Sequence, residues 1–118
     1  MGYSRAVRAG DWVLVAGTTA TLADGRIAGV GDPETQARQV IANIAAALEL
    51  AGASVADVVR TRIYVADIGQ WEAVGRAHAE VFGAAPPVSS MLQVAAFIDP
   101  RILVEIEADA WAPVSAAT

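Results

Sequence analysis

The fold is decided by PPVSSMLQV (residues 86–94) and by LVEIEA (residues 103–108), which follows it after a short loop. Both segments have the composition of β-strands. Successive side chains of a strand point to opposite faces, so the second segment places Glu105, Glu107 and Asp109 on one face and apolar residues on the other. Carboxylates in a row within an apolar strand predict either a solvent-facing surface or a cleft that handles a polar ligand.

The rest of the chain predicts an α+β fold in the order β-β-(β)-α-β-α-β-β, with two helices on one face of a mixed sheet. Asp32 before Pro33 marks the start of the first helix, and Asp67 with Gln70 three residues on marks the second. The predicted strands cover residues 5–9, 12–16, 58–65, 88–97 and 103–108, and a sixth short strand near residues 26–28 is left open.

Side-chain periodicity assigns faces to these elements. In residues 58–65, Val58 falls on the face of Arg60 and Arg62, and Val59 falls on the face of Thr61. Residues 12–16 are apolar on both faces, whereas two helices cover only one face of a sheet. We therefore expect the other face to pack against further copies of the chain. The second helix is expected to bury Trp71, Val74, His78, Val81 and Phe82.

Composition limits the chemistry that the chain can perform. The sequence has no cysteine and no lysine, and His78 is its single histidine, which excludes thiolate nucleophiles, Schiff-base lysines and histidine metal clusters. We expect no cofactor and no metal. The net charge of −5 argues against a nucleic-acid partner. We interpret His78 as a satisfied core or interface residue rather than a catalytic one.

Length and hydropathy limit the domain organisation that the chain can have. The 118 residues predict a single domain over residues 1–118 with a frayed tail from about residue 114. Apolar runs are shorter than the roughly 18 residues of a membrane span, and no N-terminal signal is recognised. We therefore expect a cytoplasmic protein without a membrane partner. The hydrophobic fraction of 55% is high for a soluble monomer and also favours self-association.

The chain resembles the RidA/YjgF family, also known as the L-PSP endoribonuclease family, over nearly its whole length. The resemblance is carried by Tyr3, AGDWVLVAG (9–17), ETQARQ (34–39), DVVRT (57–61), PVSSM (87–91) and VEIEA (104–108). It implies a chorismate-mutase-like fold and a homotrimer whose sheets form a central barrel, with small-ligand clefts at the three subunit interfaces. Active members hydrolyse reactive enamine or imine intermediates to a 2-keto acid and ammonia.

The resemblance also implies the site residues. Glu107 matches the glutamate that holds or activates the attacking water, and is the predicted catalytic residue. Glu105 and Asp109 have no matched role and are expected to be solvated or paired with arginine. The predicted substrate-binding residues are Tyr3, Gly17, Thr18, Ser89, Ser90 and Met91.

One position departs from the family pattern. Ser89 stands where deaminating members carry an arginine that grips the substrate carboxylate, so the chain is a divergent member without that clamp. Arg60, Arg62 or Arg101 is a candidate to replace it.

Three functions follow as hypotheses. The first is a trimer that binds a small carbonyl, imine or enamine metabolite and hydrolyses it, with Glu107 positioning water. The second is a non-catalytic metabolite-binding or regulatory trimer, which the loss of arginine at Ser89 favours. The third, an endoribonuclease or translation inhibitor, is disfavoured by the negative net charge and the few aromatic residues.

Overall fold

The computed structural model describes residues 1–114 and contains one mixed sheet with two helices on one of its faces. The predicted tail falls largely on residues 115–118, which lie outside the described part. The strands are β1 (Ala6–Ala9), β2 (Trp12–Thr18), β3 (Val58–Val65), β4 (Val88–Gln93) and β5 (Val104–Trp111), and the helices are α1 (Pro33–Leu50) and α2 (Trp71–Phe82). No helix within residues 1–114 is long and apolar enough to cross a membrane.

The five strands follow the order β1-β2-β5-β3-β4, so β5 lies at the centre of the sheet. All neighbouring pairs are antiparallel except β3 and β4, which are parallel and are connected through α2. The α+β prediction is confirmed. The optional sixth strand is reduced to an isolated bridge between Thr21 and Ile27.

The core lies between the helices and the inner face of the sheet, which is the face turned toward α1 and α2. Asp32 begins α1 as predicted, because its side chain accepts a hydrogen bond of 3.2 Å from the Thr35 backbone N–H. The buried residues that α1 and β5 contribute alternate with the expected periods. They include Val40, Ile41, Ile44 and Leu48 of α1 and Val104, Ile106, Ala108 and Ala110 of β5.

One buried polar residue joins three parts of the chain. Gln36 in the first turn of α1 is 0% exposed. Its amide nitrogen donates to the carbonyls of residues 28, 29 and 101, and its oxygen accepts from the backbone N–H groups of Leu103 and Val104. These bonds attach the loop before α1 and the loop before β5 to the helix. Gln36 thereby fixes where the central strand begins.

The predicted end of β4 and the predicted faces of the first residues of β3 are wrong. β4 ends at Gln93 rather than at residue 97, because β3, its one partner strand within residues 1–114, ends at Val65. A β-bulge between Val58 and Arg60 reverses the faces on which the first residues of β3 lie, so Val58 is buried and Val59 is exposed.

The stripe predicted for α2 is also partly wrong. Asp67 caps a separate single-turn 3₁₀ helix (Ile68–Gln70), so α2 begins only at Trp71. Trp71 is therefore the first residue of the helix and is exposed. Val81 is exposed as well, while Phe82 packs against His78 with ring centroids 4.6 Å apart.

Candidate functional site

The outer face of the sheet, turned away from the helices, has apolar flanks. The ring centroids of Trp12 and Trp111 lie 5.0 Å apart in a T-shaped pair. The exposed apolar side chains of this face are each 42% to 59% exposed, and they are Val7, Trp12, Leu14, Val88, Leu92 and Trp111. The second face of β2, which the sequence predicts to need a cover, is thus uncovered in the single chain.

Between these flanks, β5 presents its three carboxylates on the outer face. Asp109 pairs with Arg62 at 3.3 Å and lies 4.0 Å from Arg60 on the neighbouring strand. Glu107 accepts a hydrogen bond from the Tyr64 hydroxyl, and this contact raises the pKa of Tyr64. Asp109 therefore has the arginine partner expected from the sequence, and Glu107 is held by a phenol.

Glu105 differs from its two neighbours because its carboxylate has no hydrogen-bond or ion-pair partner among residues 1–114. Burial raises the pKa of Glu105 above that of an ordinary glutamate, the negative charge of Glu107 raises it further, and the positive charge of Arg5 opposes both. A partly buried carboxylate with a raised pKa and no partner is suited to accept a proton from a ligand or from water.

The backbone of Gly17 makes room for this carboxylate. A Cβ atom added at Gly17 would lie 3.0 Å from Glu105 Oε1, a tight contact from which the Glu105 carboxylate would have to move by a few tenths of an ångström. The register between β2 and β5 shifts between Val15 and Thr18, so the glycine sits at an irregularity of the sheet. The irregularity brings the backbone of one predicted site residue against a carboxylate of β5.

A cleft of about 1050 Å³ lies between β1, the loop after β2 and α1, and neither Gly17 nor Glu105 is among the residues that line it. Tyr3 and Thr18, both predicted site residues, line it together with Arg5. Arg5 donates to the Gly17 carbonyl at 3.2 Å and to Thr18 Oγ1 at 2.7 Å. Asn43 of α1 holds the loop after β2 by donating to the carbonyls of Thr19 and Thr21 at 2.9 and 3.0 Å.

The other predicted ligand contacts lie elsewhere on the chain. Ser89 belongs to the inner face, where its hydroxyl accepts a hydrogen bond of 2.8 Å from Thr61 Oγ1. Thr61 is fully buried and also lies 2.9 Å from His78 Nε2. Met91 packs against the core, and Ser90 is on the outer face beside Arg62. Within one chain, Ser89 and Glu107 are therefore on opposite faces of the sheet.

The Thr61 hydrogen bond accounts for His78 without a catalytic role. The imidazole is partly buried between Thr61 and Phe82, and this burial lowers the pKa of His78. This environment agrees with the interpretation of His78 as a satisfied histidine.

The arginines proposed to replace the missing clamp are all engaged. Arg60 and Arg62 face Asp109, and Arg101 pairs with Asp99 at 2.7 Å. Arg5 is the cleft arginine that the sequence did not single out, because only the fold brings it to Gly17 and Thr18. Over residues 1–114, no cluster of three or more acidic or histidine side chains is arranged to hold a metal ion.

The model of the Endoribonuclease L-PSP family matches residues 1–112. The chain belongs to the RidA/YjgF family. A family member from Mycobacterium tuberculosis, Rv2704, is 53% identical in sequence and superimposes with a TM-score of 0.82, over 92% of this chain and 86% of that one. Streptomyces coelicolor SCO2049 is 43% identical over 110 residues, which are 93% of this chain and 81% of the relative.

A third relative of known structure is Escherichia coli TdcF, solved with bound serine. It is 26% identical, with a TM-score of 0.86 over 94% of this chain and 88% of that one. These RidA/YjgF structures confirm the predicted chorismate-mutase-like fold.

Proposed function

We propose that the chain forms a homotrimer that binds a small carbonyl, imine or enamine metabolite at its subunit interfaces and hydrolyses the imine to a 2-oxo acid and ammonia. The observation that carries this proposal is Glu105, a partly buried carboxylate with a raised pKa and no partner in residues 1–114, facing the backbone of Gly17. Membership of a family known for small-molecule binding supports it. The cytoplasm remains the proposed location.

The chemistry needs one group that moves protons. Water adds to the C=N carbon while Glu105 accepts a proton from that water and delivers it to the nitrogen, which gives a carbinolamine. Glu105 then accepts the hydroxyl proton and passes it to the amino nitrogen, so that the C–N bond breaks and ammonia departs. One imine and one water give one 2-oxo acid and one ammonia, so no oxidant or reductant is required.

Glu107, to which the resemblance assigns the water, stays the alternative base. Its carboxylate already accepts a hydrogen bond from Tyr64, which reduces its availability for water. In this proposal the negative charge of Glu107 acts on Glu105, because it raises the pKa of the Glu105 carboxylate. We keep the proposed role as ligand contacts for Tyr3, Gly17 and Thr18. The other predicted contacts would have to reach a ligand bound next to a different copy of the chain, and they are Ser89, Ser90 and Met91.

The trimer is supported by the outer face. Apolar side chains flank the carboxylates on this face, and packing against other copies would bury them and exclude water from the site. The serine bound to the relative TdcF supports a small, amino-acid-like ligand.

Ammonia release from a 2-imino acid, generated in the assay by an amino-acid oxidase, tests the proposal. We expect the wild-type protein to accelerate ammonia release over buffer and over heat-denatured protein. The second candidate is the non-catalytic metabolite-binding trimer, favoured by Ser89 in place of arginine. It would show a raised melting temperature with a 2-oxo acid but no acceleration. A folded protein that shows neither a raised melting temperature nor accelerated ammonia release would refute both candidate functions.

A further inference from the structure

Three hydrogen-bonding side chains from three elements form a line that ends at β4. Thr61 of β3 is at its centre, with Oγ1 2.9 Å from His78 Nε2 of α2 and 2.8 Å from the Ser89 hydroxyl of β4. Thr61 is fully buried, His78 is partly buried and Ser89 is exposed. The line therefore connects a titratable group in the interior to a hydroxyl at the surface.

Ser89 lies where a ligand can reach it. Within residues 1–114, β4 is the last strand of the sheet, so one of its edges is open. The N–H of Val94 donates to the Val65 carbonyl of β3, and backbone groups alternate in direction along a strand. The N–H of Ser89 therefore points away from β3, so that Ser89 has a backbone donor and a hydroxyl at the same exposed edge.

The number of hydrogens in this line decides which way its hydrogen bonds run. A threonine hydroxyl has one hydrogen and donates in one direction at a time. In the structure Thr61 donates to Ser89, so an Nε2–H of His78 fills the other contact and the hydrogen of Ser89 is left for a ligand. When Nε2 has no hydrogen, Thr61 donates to His78 and Ser89 donates to Thr61, which leaves Ser89 Oγ only lone pairs for a ligand.

Protonation of His78 removes the second arrangement. A neutral imidazole has its hydrogen on either nitrogen and permits both directions, whereas an imidazolium has a hydrogen on each nitrogen and only donates. With His78 protonated, Ser89 is fixed as a donor, and a positive charge lies two hydrogen bonds behind it.

We infer that Thr61 transmits the protonation state of His78 to Ser89, so that an anionic oxygen of the ligand binds Ser89 more tightly when His78 is protonated. In this inference Ser89 touches the ligand and His78 is a positioning residue. The inference rests on the proposed function and deepens it by adding a regulation of the site by pH.

The other charged side chains on the elements around His78 are directed elsewhere. β4 has none, and the arginines of β3 are on the outer face with Asp109. On α2, Arg76 pairs with Glu34, Glu80 pairs with Arg38, and Glu72 is exposed in the first turn; Asp57 before β3 accepts from the Ser54 N–H. The imidazolium is thus the cation that the hydrogen bonds connect to Ser89.

The sign of the pH dependence follows from burial. Burial lowers the pKa of His78, so the imidazole is mainly neutral at neutral pH and gains its proton as the pH falls. Affinity for an anion at Ser89 should therefore rise as the pH falls through the pKa of His78. By linkage, a bound anion should raise the pKa of His78.

Nuclear magnetic resonance titration of the full chain tests the coupling, because His78 is the single histidine and its imidazole signals are unique. The probes are pyruvate, which stays ionised over the titration, and its neutral methyl ester. We expect saturating pyruvate to raise the pKa of His78, and the Kd for pyruvate to fall about fivefold or more from above that pKa to below it. The ester should raise the pKa less, because it brings no charge to Ser89.

Two variants interrupt the line. Thr61→Val keeps the shape of the side chain but removes the hydroxyl, so pyruvate should no longer raise the pKa of His78. Ser89→Ala should have the same effect, and its exposed position keeps the test available if Thr61→Val does not fold. Glu105 also titrates with a raised pKa, so the imidazole signal rather than the Kd profile identifies the group.

The matched control is Ser54→Ala. Ser54 is exposed as well, and within residues 1–114 its hydroxyl bonds only to Asp57, so the response of His78 to pyruvate should equal that of wild type. A pKa of His78 that does not respond to bound pyruvate in wild type, or responds equally in either variant, would overturn the inference and leave the proposed function standing. Wild-type protein that binds no pyruvate at any pH would overturn both.

Discussion

Replacing Glu105 by glutamine should lower kcat/KM for imine hydrolysis by about 10²-fold or more, the usual contribution of a general base. Glutamine keeps the size of the side chain next to Gly17 but cannot accept a proton from water. Glu107→Gln should cost less, because the Glu107 carboxylate is engaged with Tyr64 and acts on the reaction through the pKa of Glu105. For both variants, kcat/KM is measured side by side from the rate of ammonia release with the same 2-imino acid.

The pH profile separates a base from a merely structural residue. The raised pKa of Glu105 means that its carboxylate becomes protonated at a higher pH than an ordinary glutamate. Wild-type kcat/KM should therefore fall as the pH drops through that raised value, and the fall should be absent in Glu105→Gln. Pyruvate affinity and melting temperature serve as controls for an intact site. Full activity in Glu105→Gln together with an inactive Glu107→Gln would assign the base to Glu107 instead.

Gln36→Leu should lower the free energy of unfolding by about 3 kcal/mol or more, which is large for a single substitution. The leucine fills a similar volume but leaves the N–H groups of Leu103 and Val104 and the carbonyls of residues 28 and 101 without the Gln36 amide, whereas the carbonyl of Gly29 keeps its bond from the Asp32 N–H. Chemical denaturation followed by circular dichroism measures the change.

Gln70→Leu is the matched control for this substitution. Gln70 is exposed at the start of α2, so its replacement should change the free energy of unfolding by less than about 0.5 kcal/mol. A cost below about 1 kcal/mol for Gln36→Leu would show that the two loops hold their places without the buried amide.

Much of the fold could be predicted because its signals are local. The alternation of β5 alone places Val104 and Ile106 in the core and Glu105 and Glu107 on the opposite face, as the structure shows. The start of α1 follows from Asp32, whose capping bond depends on a residue only three positions away. Periodicity also showed that helices alone would leave one face of β2 uncovered.

The errors and omissions arise where distant residues decide the outcome. The bulge in β3 depends on its pairing with β5, and a strict alternation of faces contains no bulge. The predicted faces of Val58 and Val59 are therefore reversed. Gln36 meets Leu103 across 67 positions of sequence, and no local pattern marks a glutamine that will be buried.

The candidate site was harder to predict for the same reason. Arg5 becomes a cleft residue only because β1 pairs with β2 and brings it next to Thr18, thirteen positions away. Glu105 and Glu107 are equivalent in the alternating pattern of β5. Their environments separate them, since Tyr64 reaches one and Gly17 leaves space beside the other.

Closure of the outer face by two further copies of the chain is tested most directly by the particle mass in solution, measured by light scattering during gel filtration. We expect the wild-type protein to have three times the single-chain mass of 12.1 kDa. In parallel, Leu14→Asp should shift the mass toward one chain, because it places a charge in the apolar flank of that face. A wild-type particle with the mass of one chain that still releases ammonia would contradict a site built at subunit interfaces.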